Sequence, residues 1–248
     1  MRRARLVWTA AIWAALTTST KAGDPPSVDE FLVIPLRAHV LSATDLPEVD
    51  CALADTDIRR VVGKVNAIWR PAGIYWNLEA IVREPAAKQA EFKASREAKG
   101  PTALDLYRML SPDASKTPAG LHVYYIHKFA VNGVYLGNRT AFVQETAKLR
   151  PVEGGIDEPL PRVTAHELGH ALGLPHRQDR TNLLASGTNG TSLNAAEVER
   201  ARDHARKSEG VRTVANLRRD AETAGTPGDR DAARRLLETL AAIPLPPK

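Results

Sequence analysis

The 248-residue chain has little with which to staple or anchor itself. It holds one cysteine, Cys51, so a domain made for an oxidising compartment has no internal disulfide. It holds two methionines, Met1 and Met109. There is no internal repeat and no Gly/Ser linker. There is also no phosphate-cradling glycine loop and no serine-nucleophile elbow, which argues against nucleotide-binding and serine-hydrolase classes. No uncharged apolar run reaches the ~20 residues that cross a bilayer as a helix.

An excess of one charge sign is largely missing too, once the charges are located. The formal net charge is +5, from 34 basic and 29 acidic side chains, and at face value this suggests nucleic acid or an anionic membrane. Four of the basic groups, Arg2, Arg3, Arg5 and Lys21, lie in the first 22 residues, where there is no acid. Without them 30 basic groups face 29 acidic ones, a net of +1. No nucleic-acid partner is expected.

That leader has a charged start, an uncharged stretch from Leu6 to Thr20, and small residues in Thr20-Lys21-Ala22. This is the layout of a secretory signal peptide over 1–22, cleaved near Ala22. An organelle transit peptide and an uncleaved anchor are the other readings. The expectation is a secreted or periplasmic protein with no stable membrane insertion after cleavage. The remainder, in a chain 43% hydrophobic and 25% charged, suits one ordinary globular domain with something extra.

Along the chain, Phe31–Ser42 reads as a first strand, with Pro35 marking an edge or a bulge. Thr56–Arg70 has apolar residues at helical spacing and is stopped by Pro71 and Gly73. Ile74–Val82 alternates like a strand. Glu84–Gly100 reads as a solvated helix or loop, and Thr102–Leu110 as a short helix. Leu121–Phe129 reads as a buried strand and Gly133–Gln144 as a more irregular one. A helix is expected from Pro161 to Leu172 and another over Asn194–Lys207. Residues beyond Ser208 are expected to form an appendage with a helix at Asp231–Ala241 and the tail Pro244-Leu245-Pro246-Pro247.

The segment that carries chemistry is His166-Glu167-Leu168-Gly169-His170-Ala171-Leu172-Gly173-Leu174-Pro175-His176. Histidines four apart lie on one helical face, so His166 and His170 can meet one metal ion. Glu167 is angled away from that line, which suits a carboxylate that takes a proton from water at the metal. Gly173 can adopt positive φ and end the helix, and Pro175 prevents its resumption. The chain can then return His176 as a third ligand. Three imidazoles and one open position describe a catalytic zinc site. Five fixed positions occur by chance in a chain this long about once in 10⁵.

These residues resemble the metzincin metallopeptidases, whose motif is HExxHxxGxxH followed by a methionine turn. The resemblance implies zinc on His166, His170 and His176, with Glu167 as general base. It implies an α+β zincin fold: a twisted mixed sheet, an active-site helix and a C-terminal helical subdomain. It also makes Gly133–Gln144 the edge strand that pairs antiparallel with an extended protein or peptide substrate. The chain departs from the family at Asn182-Leu183-Leu184-Ala185-Ser186-Gly187, where Leu184 stands in the methionine position and Ser186 where some branches carry a tyrosine ligand.

The reading is therefore an exported zinc endopeptidase, with a catalytic domain over 23–207 and a helical extension over 208–248. A zinc-binding pseudoenzyme or binding protein without turnover is the alternative, and an amide hydrolase of non-protein substrates a third. Cys51 is expected to be a buried or loop thiol. His39, His122, His127 and His204 are expected in structural or surface roles, with His122 and His127 on opposite faces of one strand. Arg200–Arg219 reads as a solvated helix face.

Overall fold

The computed structural model describes residues 26–97, 103–223 and 226–241. The leader over 1–22 and the tail Pro244–Pro247 lie outside the described residues.

The organising element is strand β1 (Leu32–Ser42), nearly continuous in apolar residues because both of its faces are covered. Helix α1 (Asp55–Trp69) follows, with Ile58, Val61, Val62, Val65 and Trp69 buried along one stripe. Asn66 shares that stripe without being wasted. Its amide donates to the Trp76 carbonyl (3.0 Å) and its oxygen accepts the Trp76 N–H (2.7 Å). This fixes α1 on strand β2 (Ile74–Pro85), which runs parallel to β1. Helices α2 (Gln89–Glu97) and α3 (Ala103–Leu110) precede β3 (Leu121–Ile126), which runs parallel to β1 on its other side.

The irregular segment after β3 is not one strand. It divides into β4 (Gly133–Tyr135) and β5 (Thr140–Gln144), an antiparallel hairpin. The reversal runs through Gly137, Asn138 and Arg139, all with positive φ, which ends any single extended run. β3 itself stops at Ile126, so His127 lies past the strand rather than on its opposite face. The sheet order is β2-β1-β3-β5-β4. β5 is parallel to β3, so only β4 is antiparallel at that edge.

Pro35 sits inside the sheet rather than at its edge, and its other expected signature is present. The β1–β2 register shifts between Leu36 and Arg37, and pairing with β3 begins only at Leu36. A residue without an N–H is tolerated where one ladder has not yet begun.

Helix α4 (Pro159–Ala171) starts two residues earlier than expected and carries two prolines in its first turn, where a missing N–H loses nothing. Helix α5 (Ala195–Arg206) opens with a capping box: Asn194 accepts the Glu197 N–H, and the Glu197 side chain accepts the Asn194 N–H. The expected appendage is built into the sheet. Strand β6 (Arg212–Thr213) pairs antiparallel with Leu32 and Val33. Helices α6 (Val214–Thr223) and α7 (Pro227–Ala241) bury Val214, Leu217 and Leu240 against Val33 and Tyr75.

The alternation of β1 sorts the core. Leu32, Ile34, Leu36, Ala38 and Val40 face α1, α4 and α5. Val33 faces α6 and α7, and Leu41 joins Phe92, Leu106, Leu110 and Tyr124 beneath α2 and α3. The fold is α+β, with a mixed, mostly parallel sheet covered on both faces. Among the described residues no helix is long and apolar enough to cross a membrane.

Candidate metal centre

α4 is buried from Leu160 to Gly169, and its one-turn repeat stacks His166 and His170. The helix then ends in a tight reversal. Gly173 has φ 76°, its N–H donates to the His170 carbonyl, and the Leu174 N–H reaches back to Gly169. This is a Schellman-type end, which a left-handed glycine permits. The returning chain brings His176 to the other two rings. The His166 and His170 Nε2 atoms are 3.0 Å apart, and those of His170 and His176 are 3.1 Å apart.

The hydrogen bonds on the far side of the rings decide what this cluster can hold. His166 Nδ1 lies 2.8 Å from the Leu183 carbonyl, and His170 Nδ1 lies 2.8 Å from the Leu174 carbonyl. A carbonyl only accepts, so each Nδ1 carries the proton and each Nε2 presents a lone pair; Arg162 Nη1, which only donates, lies farther from His166 Nδ1 (3.2 Å) than the Leu183 carbonyl does and makes no hydrogen bond to the protonated nitrogen. Bare lone pairs 3 Å apart repel one another. A cation between them removes the conflict. Donors on a tetrahedron with zinc–nitrogen bonds of about 2.0–2.1 Å lie about 3.3 Å apart, close to the separations seen. Burial, followed by the nearby Arg162 charge, pushes His166 down to about 3. Burial also lowers His170. Both rings are therefore neutral at ordinary pH, as metal ligation requires. Among the described residues, these three form the one group of histidine, cysteine or acidic side chains able to hold a metal.

Glu167 projects beside the cluster into a cleft of about 820 Å³. Its carboxyl is almost fully buried, and burial pushes it up to about 8, opposed by the Tyr135 backbone N–H and by Arg162. The Tyr135 contact follows from the hairpin register. Leu136 donates to Thr140 and Gln144 donates to Asn132, so the alternating ladder turns Gly133 and Tyr135 away from β5. Those outward groups face α4. A Cβ on Gly133 would lie 2.7 Å from Val163 Cγ1 and 2.9 Å from Glu167 Oε1, so this approach needs a glycine. β4 thus forms one wall of the cleft, with Val131, Val134, Leu149, Leu174 and Pro175 supplying apolar lining.

Leu184 packs against α4. It is fully buried in the main core, and its Cδ1 lies against α4 at Gly169. What holds its turn lies far off along the chain. Arg162, buried one helical turn before His166, donates to three carbonyls of the 182–190 segment. Glu197 on α5 accepts from Arg177 and Asn182. The capping box with Asn194 fixes Glu197 in the first turn of α5.

The other histidines are placed elsewhere. His39 and His122 are buried on β1 and β3 and hydrogen-bonded to each other (2.9 Å). His127 pairs with Glu145 (2.6 Å), and the exposed His204 lies behind Gly173. Cys51 is buried and donates to Glu145, and burial pushes its thiol up to about 12, which leaves it unreactive. The solvated face expected over Arg200–Arg219 has an exception. Arg202 is buried and donates to the carbonyls of Glu30, Ala72 and Gly73, capping the end of the α1 segment.

No protein-family model and no curated protein matches the chain. Among solved structures it is similar to archaemetzincin from Methanopyrus kandleri, with 17% identity and a TM-score of 0.40, over 70% of this chain and 94% of that one. It is similar to a chain of a chaperone–substrate complex, with 13% identity and a TM-score of 0.40, over 73% of this chain and 36% of that one. It is also similar to metalloproteinase-II from Bacteroides fragilis, with 13% identity and a TM-score of 0.36, over 75% of this chain and 55% of that one. The chain thus spans about a third and about half of the last two.

Proposed function

We propose that the chain is an exported zinc-dependent endopeptidase of metzincin type, with His166, His170 and His176 as zinc ligands and Glu167 as general base. One observation carries the reading. Three Nε2 lone pairs converge beside a cleft, and the Nδ1 protons of His166 and His170 are already committed to backbone carbonyls. Such a donor set fits a cation that prefers imidazole nitrogen.

Zinc held there supplies a Lewis acid for the scissile carbonyl and for the attacking water. The chain's own residues do the rest. In its ionised form, which a cation on the three histidines would favour against the burial that raises it, Glu167 takes the water proton on its carboxylate and passes it to the leaving amine. The Tyr135 N–H fixes the orientation of that carboxylate. The Tyr135 N–H is taken up by Glu167, so the groups of β4 left to bond an extended peptide are the outward ones of Gly133 and the Tyr135 carbonyl, and the apolar wall receives its side chains. The charged leader supports export, and the near-balance of charge in the remainder supports a substrate chosen by shape and main chain rather than by charge.

The test uses the full chain. Zinc content is measured and an unfolded protein substrate is followed by mass spectrometry, with and without a chelator. About one zinc per chain and chelator-sensitive internal cleavage are expected. Glu167→Ala should retain zinc and lose cleavage. Full activity in that variant contradicts the assigned base. Stoichiometric zinc with no turnover against a broad peptide library supports the binding-protein alternative, which Leu184 motivates.

A further inference from the structure

The third ligand is the least secured of the three. His176 is exposed, follows Pro175 and belongs to no helix or strand. Its position depends on the segment that continues to Gly190. That segment is gripped from two sides by side chains that nothing in the proposed chemistry requires.

From α4, Arg162 spreads its guanidinium over three backbone carbonyls, with its remaining nitrogen, Nη1, 3.2 Å from Nδ1 of His166. Nε donates to Gly190 (3.1 Å), and Nη2 donates to Ala185 (2.6 Å) and Asn182 (3.3 Å). From α5, Glu197 accepts from Arg177 Nε (2.5 Å), the residue after the third ligand, and from Asn182 Nδ2 (2.8 Å). Asn182 joins the two grips, and its Oδ1 also accepts the Leu184 N–H (2.7 Å). The clamped turn serves both ends of the donor set. The Leu183 carbonyl orients His166, and the Leu184 carbonyl accepts the Arg177 N–H (3.0 Å).

Both charged groups are almost fully buried, yet they do not pair with each other. An apolar residue would fill such volume with a smaller desolvation penalty. A charged fork on three loop carbonyls does what an apolar residue does not: it fixes the path of a segment without regular structure.

We infer that Arg162 and Glu197 are positioning residues that clamp segment 176–190 between α4 and α5 and so set His176 against His166 and His170. The clamp, rather than the side chain at 184, does the work of the turn, which is why leucine suffices there. The inference rests on the zinc reading above.

Arg202 provides a matched control. It too is a buried arginine bonded to three carbonyls, but those carbonyls belong to Glu30, Ala72 and Gly73. The experiment measures zinc affinity of the full chain by chelator competition, with the visible spectrum of the cobalt-loaded protein reporting ligand number. Arg162→Lys and Arg177→Met should each weaken zinc binding roughly 10- to 100-fold, as loss of a ligand's supporting partner does, and change the cobalt spectrum. Arg202→Lys should lower the melting temperature yet leave affinity and spectrum as in the unaltered chain. If Arg162→Lys does not fold, Arg177→Met decides, because its side chain is half exposed. Unchanged affinity and spectrum in the folded clamp variants overturn the inference. An unaltered chain that takes up no zinc overturns the zinc reading itself, and the inference with it.

Discussion

The molecule buries histidines in two places, and the two are built on opposite rules. On one side of the sheet His39 and His122 lie in a closed relay. The Thr117 N–H donates to His122 Nε2, His122 Nδ1–H to His39 Nε2, and His39 Nδ1–H to Glu84. Every ring nitrogen has a partner of the right kind, Ser115 adds a second donor to Glu84, and Tyr124 stacks on His39. At the end of α4, His166, His170 and His176 do the reverse. Their outer nitrogens turn toward one another as acceptors, at the wall of a cleft. Burial depresses the pKa of His39 and His122 and likewise of His166 and His170. What separates structure from chemistry is whether the hydrogen-bond account of each ring closes.

The sharpest way to break this comparison is to remove one ring from each set. His170→Ala should reduce zinc affinity by more than the ~100-fold expected for an outer partner, abolish hydrolysis and leave the zinc-free fold intact. His122→Ala should keep zinc binding but destabilise the fold by about 3 kcal/mol, since it opens a cavity and strands His39 Nε2. Chelator competition and chemical denaturation of both variants read the two effects separately.

The metal itself should also raise stability. With free zinc at ~1,000 times its dissociation constant, the native state gains about 4 kcal/mol by mass action. Calorimetry should show that gain in the unaltered chain and in His122→Ala, but not in His170→Ala.

The relay should also mark the stability of the zinc-free protein against pH. Burial, followed by the charges of Arg37 and Lys116, lowers His39 to about 4, and burial followed by the His39 charge lowers His122 to about 4. In the unfolded chain both take a proton near 6.5. The folded state resists that proton, so the contribution is complete above pH 6.5 and is lost as pH falls toward 4. The loss should be on the order of 3 kcal/mol for either ring taken alone and up to about twice that for the two together. Denaturant titrations across this window should show a shallower fall in a variant with both residues changed to leucine. A fall unchanged by that replacement would assign the acid sensitivity elsewhere.

The smallest effect is expected at the floor of the site. Leu184→Met conserves volume and should change stability by less than about 1.5 kcal/mol, with zinc affinity within about twofold. A large gain in affinity would show that the thioether matters and that the clamp is incomplete.

Much of this was legible in the chain because spacing encodes it. Histidines four apart, a glycine three residues on and a proline after it specify a helix, its end and the return of His176. The stripe of α1 and the apolar run of β1 were equally readable, since amphipathic period and two-sided burial leave direct marks. What was not legible depends on partners distant in sequence. Nothing local in Arg162 announces three carbonyls some 20 to 28 residues away. Nothing in His39 announces His122, 83 residues on. Pro35 reads as an edge or a bulge because proline loses a ladder bond, and which of the two, with its place beside the start of the β3 ladder, could not be read without the sheet order. The C-terminal helices looked detachable because the face they cover, Val33 and Tyr75, belongs to strands at the other end of the chain.

The central claim is that three imidazole Nε2 atoms, their backs held by the backbone, hold one zinc ion at the cleft. Anomalous diffraction at the zinc edge, on crystals of the zinc-loaded full chain, tests it directly. One strong peak is expected about 2.0–2.1 Å from Nε2 of His166, His170 and His176, with an open position facing Glu167. A peak in the Glu84–His39–His122 relay instead, or ligation through Nδ1 of the α4 histidines, would contradict it.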